Sequence, residues 1–374
     1  MHIPKAFAHS HICTFAHFPP PMSFLFPYEL DRIILRNRTA DTSVRLSLNG
    51  QTILTAPLTP DAIGLITLTD LGRYLSDCVE QAREQSKYPN SFLTHTLQLY
   101  VDDTLQTTYT LRPCRSRMRR KAAELMPTMF LTMASGDTKL LPPTAEDENL
   151  YLLSDETSGA YTYTTHHYWR NTLTNQIRRT DFTYTGIANP GQVVHIPIDP
   201  SGRGDEPDQS TQWQLLRIEV ESAARRITYQ ISPDGLTQAD ITTLQFCNSF
   251  GLLDTFHILG KIETDYKTTY SAALLSGSQV NYLIEANPTY KANVGPLTDG
   301  TIALLKDLAT SRQVTLGGRP ITLTAVELKP TNAYADAQTA TITWREATEG
   351  GTTAPATPLG TFDTTFDSTF DRTT

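Results

Sequence analysis

Apolar and polar residues alternate with period two along most of this 374-residue chain. Successive side chains of a β-strand point to opposite faces, so the pattern predicts half-buried strands and leaves little room for helix. Strand-like segments, bounded by Gly, Pro, Asn or Asp, run at 32–37, 44–48, 51–58, 94–101 and 104–111. They continue near Met129–Thr132 and at 148–153, 161–169, 176–186, 192–198, 214–222, 225–232, 243–249, 254–263, 280–286, 321–328 and 339–346. Composition agrees: 57 Thr, 16 Tyr and 14 Phe suit a pleated, partly solvated surface. Two turns have their own chemistry. Asn49–Gly50 tolerates positive φ and predicts a two-residue hairpin, and Asp102–Asp103 is the polar turn of a second hairpin.

Two stretches change period. Leu71, Tyr74, Leu75, Cys78, Val79 and Ala82 form one apolar stripe of a helix over 70–84, capped by Asp70 or Thr69, with Arg73, Asp77, Glu80 and Arg83 on the outer face. Ile302, Leu305, Leu308 and Ala309 form a second stripe over 299–310, capped by Asp299. The tripeptides Leu68–Thr69–Asp70 and Leu297–Thr298–Asp299 precede the two helices as a faint internal echo.

These readings give a mainly β fold of two to three β-sandwich-like domains, each end domain carrying one amphipathic helix. The expected division is a non-core segment 1–27, a β domain with one helix at 28–115, a middle β-rich domain at 116–205, a C-terminal β domain with one helix at 206–346, and a linker and tail at 347–374. The tail repeats Thr-Phe-Asp. Phe362, Phe366 and Phe370 recur every four residues and are the candidate docking residues for a partner or a neighbouring subunit.

Net charge is −8, which disfavours nucleic acid as a partner. No apolar run reaches the roughly 18 residues of a membrane-spanning helix. The first residues lack the apolar stretch of a secretory signal, and translation could start at Met1 or Met22. Cys13, Cys78, Cys114 and Cys247 are far apart, which predicts buried thiols in a reducing compartment.

Several motifs resemble sites and are better read as structure. His9, His11, Cys13 and His17 have no second ligand cluster. Tyr100–Val101–Asp102–Asp103 spells a polymerase motif but occupies a hairpin turn. Arg203–Gly204–Asp205 lies in a polar loop at 199–210. His166 and His167, adjacent on a strand, face opposite ways and cannot readily share a metal. Trp169 and Trp344 could stack on a sugar, but packing is the simpler role. Ser249, followed by Gly251 and then His257, lacks a nucleophile elbow. Glu219 and Glu221 read as surface. The basic run Arg112, Arg115, Arg117, Arg119, Arg120 and Lys121 reads as a connector pairing with local acids. No catalytic residue, cofactor site or metal site is expected.

One longer pattern has a different character. Phe246, Asn248, Phe250, Gly251, Asp254, Thr255 and Phe256 form F-x-N-x-F-G-x-x-D-T-F. A helix near 297–308, Ser311–Val314 and the strand Arg319–Thr322 follow it. Together with the Thr-Phe-Asp tail, this region, 243–346, resembles tail-region structural proteins of phages and prophages of gut Bacteroidales. The resemblance implies a non-enzymatic structural or adaptor role in a virion assembled in the host cytoplasm. It also implies other tail proteins and further copies of the chain as partners. The alternative is a surface glycan-binding β-sandwich protein.

Overall fold

The computed structural model describes residues 24–347 except 37, 88–91, 119, 144–147, 203–206, 208–211, 233–240, 276–277, 295–296 and 330–338. The fold is mainly β, with several antiparallel sheets. It divides into two compact units: residues 1–128 with 154–160 and 187–192, and residues 129–153, 161–186 and 193–374.

In the first unit, β1 (Ile33–Leu35) pairs with β4 (Ile66–Leu68). β2 (Thr42–Leu48), β3 (Gln51–Leu58), β5 (His95–Val101) and β6 (Thr104–Leu111) form a sheet in the order β3-β2-β5-β6. Both expected hairpin turns are present, with Asn49 at φ 52, Asp102 at φ 50 and Asp103 at φ 60. Asp102 does turn work: its carboxylate accepts from Ser43 N at 2.9 Å. Helix α1 (Leu71–Glu84) buries Leu71, Leu75 and Val79 in a core with Val44, Leu46 and Leu99.

Three expectations here need correction. Asp70 is at the N-cap position but left-handed, and its side chain caps nothing. Instead Asp31 receives Leu71 N on its carbonyl and Gly72 N on its carboxylate. Glu80 and Arg83, expected on the solvent face, are buried as an ion pair with Nη2–Oε1 of 2.7 Å, and Arg115 stands 3.8 Å from the same carboxylate oxygen. Residues 1–27 are not wholly outside the core. Phe24 and Phe26 are buried, and the Arg112 guanidinium lies over the rings of Phe24 and Phe92. The basic run therefore includes a packed cation. A short helix, α2 (Ala122–Leu125), follows it.

The second unit holds two cores. β7 (Thr138–Leu141), β9 (Ala160–Asn171), β10 (Ile177–Ile187), β12 (Trp213–Ser222) and β13 (Arg225–Ile231) form a sheet ordered β10-β9-β12-β13-β7, in which β7 joins parallel to β13. Its apolar cluster includes Trp169, Trp213 and Tyr229. It also takes Leu150 and Leu152 from β8 (Glu148–Leu153) and Ile196 and Ile198 from β11 (Val193–Ile198), which pair with each other. The expected boundary at 205 is therefore crossed: β9, from one side of it, pairs with β12, from the other. Met129–Thr132 is irregular backbone leading into a turn at 133–136, and not a strand.

The second core lies under a seven-stranded sheet. Its strands are β14 (Ile241–Cys247), β15 (Leu253–Leu259), β16 (Ile262–Leu275), β17 (Ser278–Val294), β18 (Val314–Leu316), β19 (Arg319–Lys329) and β20 (Thr339–Glu346), ordered β15-β14-β18-β19-β20-β17-β16. Helix α3 (Asp299–Thr310) packs Leu304, Leu305 and Leu308 against Phe246, Phe256 and Trp344. The buried stripe is thus Leu304, Leu305 and Leu308; Ala309 is exposed and Ile302 half-buried. Its cap is Thr298, whose hydroxyl accepts from Thr301 N at 3.1 Å, so Asp299 is the first helical residue and not the cap. The tripeptide echo therefore hides two different helix starts. Gly300 lets α3 approach β7, since a Cβ there would come within 2.8 Å of Asp137 Cβ.

Candidate functional site

The resemblance motif and β7 meet in a buried ionic cluster. Lys139 points from β7 into the second unit with a side chain 4% exposed. Its ammonium donates to Glu148 Oε1, to Asp254 Oδ1 at 2.9 Å and to Thr255 Oγ1 at 3.1 Å. Those three bonds use all of its protons. Thr255 and His257, two apart on β15, share a face and both reach Glu148 Oε2; His257 Nε2 does so at 3.2 Å. A carboxylate only accepts, so His257 donates from Nε2, while Nδ1 meets the Thr243 hydroxyl at 2.9 Å. On the other side, the Thr132 hydroxyl donates to Asp254 Oδ2 at 2.7 Å.

The turn between β14 and β15 sets Asp254 in place. Asn248 Oδ1 accepts from Phe250 N at 3.0 Å and Leu252 N at 3.1 Å, and Asn248 Nδ2 donates to Leu131 O at 2.9 Å. Gly251 takes φ 79, a conformation that costs other residues about 1–2 kcal/mol. Ser249 donates its hydroxyl to Asp307 Oδ1 at 2.6 Å and its N–H to Oδ2 at 2.9 Å, tying the turn to α3. Asn248, Gly251, Asp254 and Thr255 of the motif thus hold one turn and one ion cluster, while Phe246, Phe250 and Phe256 are buried beside them.

Electrostatics follow from burial opposed by pairing. Burial alone would raise Glu148, but Lys139 and then His257 outweigh it, and its carboxyl is lowered to about 2. Burial likewise works against the Lys139 ammonium, yet Asp254 and Glu148 hold its pKa above the ordinary lysine value. Nearby, burial first and then the charges of Asp254 and Glu148 push Tyr151 up to about 12, and Tyr229 rises well above the usual phenol range by burial and the same two acids. Ions so fully bonded act as a clamp. They tie β7, β8 and β15 together through side-chain bonds.

Beside the clamp is a cavity of about 320 Å³. Its walls are Leu140, Phe256, Leu259, Val294, Leu297 and Leu304, and Lys139 and His257 form part of one side.

The other candidates of the sequence fall elsewhere. His166 Nδ1 meets Asp181 Oδ1 at 2.8 Å, whereas His167 packs near Phe182 and Trp169, so the two histidines do diverge. Trp169 and Trp344 are each 1% exposed and offer no ring face to a sugar. Glu219 is buried, held by Arg226 at 3.0 Å and Arg217 at 3.2 Å, which corrects its reading as surface; Glu221 is half-buried. Cys114 and Cys247 are buried thiols and Cys78 is half-buried. The His9–His17 tract, Arg203–Gly204–Asp205 and the docking candidates Phe362, Phe366 and Phe370 lie outside the described residues. Among the described residues no group of three His, Cys, Asp or Glu is placed to hold a metal, and no helix is long and apolar enough to cross a membrane.

Lys139, Glu148, Thr132 and Asp307 were missed by sequence reasoning. A lysine inside Thr-Lys-Leu-Leu, a strand otherwise turning apolar, was the available signal. No protein-family model and no curated protein matches this chain.

Proposed function

We propose that this chain is a non-enzymatic structural or adaptor subunit of a larger assembly, of the phage- or prophage-tail kind that residues 243–346 resemble. One observation supports this above the others. β16 and β17 pair from Ile262↔Ala292 to Leu275↔Ser278, but among the described residues β17 meets β20 only between Tyr290 and Val294. From Asp265↔Thr289 outward the two strands form a ribbon of eleven pairing positions on β16, about 35 Å long at 3.4 Å per residue. A two-stranded ribbon is marginal by itself, and its open edge is a template for another strand. Such an arm is useful to a protein that completes its sheet in a neighbour.

The clamp fits the same reading. Its reactive groups are spent on each other, and what it secures is the geometry of the sheet that carries the arm.

The test is a shortened arm in which residues 268–286 are replaced by Asn-Gly, so that Lys267 and Asn287 flank a two-residue turn. Sedimentation velocity should show concentration-dependent association of the full chain and its loss in the shortened one, with tryptophan-detected melting unchanged. Equal association of both proteins, or a strictly monomeric full chain at high concentration, would reject the proposal.

A further inference from the structure

The cavity beside the clamp has a size, a wall chemistry and a charge environment that together select a class of ligand. Cavities of about 150 Å³ lined by aliphatic and aromatic side chains hold benzene. This one, at about 320 Å³, is roughly twice as large and has room for two fused rings. Leu297, Thr301 and Leu304 form one wall, spaced at four and three residues so that they share a face of α3 and the turn leading into it. Phe256 and Leu259 of β15 contribute to the lining as well.

The charged residues at its side are not available as ligand contacts. The three Lys139 protons are committed to Glu148, Asp254 and Thr255, and the two ring nitrogens of His257 to Thr243 and Glu148. Behind that wall Lys139 and His257 are bonded to the two carboxylates. An anion entering the cavity would be desolvated and find no unspent donor on Lys139. A cation would be desolvated by the apolar walls, with Glu148 and Asp254 already bonded. Ser232 and Thr301 add hydroxyls to the lining, which suit one neutral polar substituent.

We propose that this cavity is a binding site for a small uncharged aromatic molecule of about two fused rings, bearing at most one hydroxyl-like group. The proposal is independent of the assembly role, since it concerns α3 and β15 and not the β16–β17 arm.

The experiment compares 2-naphthylmethanol with 2-naphthoate, which share a ring system but differ in charge at pH 7.5. The full chain, labelled at Leu and Val methyls, is titrated with each. The neutral probe should shift the methyls of Leu140, Leu259, Val294, Leu297 and Leu304, with naphthoate at least tenfold weaker. Thr301→Phe and Leu304→Trp, which fill the space from α3, should each weaken the neutral probe at least tenfold. Failure of the neutral probe to shift these methyls, equal binding of naphthoate, or undiminished binding in a folded filled variant would overturn the proposal. Should both variants unfold, the methyl map of the unaltered chain decides: shifts centred on other residues reject the site.

Discussion

Replacing Lys139 by Met keeps a similar side-chain length but removes the ammonium facing Glu148 and Asp254. Both carboxylates stay buried, with side chains 1% and 3% exposed. Breaking a buried pair by deleting one partner costs about 3–5 kcal/mol, because the other charge is stranded. Linkage gives a similar figure. Glu148 is lowered from 4.5 to about 2, a depression worth about 3 kcal/mol, much of it owed to Lys139. The sign is that of a depressed carboxylate: the contribution is complete above pH 4.5 and is lost as pH falls from there toward about 2. Without Lys139 the balance tips toward burial, which favours the protonated acid. Lys139→Met should therefore be destabilised by about 3–5 kcal/mol at pH 7.5 and by clearly less at pH 5, where the variant gains by taking up a proton. Urea unfolding followed by tryptophan fluorescence measures this directly, since Trp169, Trp213 and Trp344 all belong to the second unit. A loss below about 1 kcal/mol, or an equal loss at both pH values, would refute a buried charged clamp.

Two further outcomes test the same region. Asn248→Ala removes the acceptor for Phe250 N and Leu252 N and should cost about 3 kcal/mol by urea unfolding, and Gly251→Ala should cost at least about 1–2 kcal/mol from its positive φ. In alkaline absorbance titration, Tyr151 should ionise near pH 12 and Tyr229 later than an ordinary phenol; both raised values mean stability complete below pH 10 and lost as pH rises through the folded values.

Local chemistry alone determined much of the secondary structure. Period-two alternation located most strands, and Asn49–Gly50 and Asp102–Asp103 located two turns, because strand faces and turn dihedrals depend on residues within a few positions. The two long helices were legible from their stripes for the same reason. Their starts were only partly so: Thr298 caps α3 from the adjacent position, but α1 is capped by Asp31, some forty residues upstream. The pairing of β9 with β12 across a polar loop was decided by the tertiary structure, since alternation specifies a face and not a neighbour. So was the fate of the charges. Glu80, Arg83, Lys139, Glu148 and Glu219 carry the same residue types as any solvated surface. Some partners are distant, as Lys139 and Asp254 are at 115 positions, and some are near, as Glu80 and Arg83 are on one helix face; both kinds become internal because the elements packed over them exclude water. Desolvation is a property of the assembled core, and no window of sequence contains it.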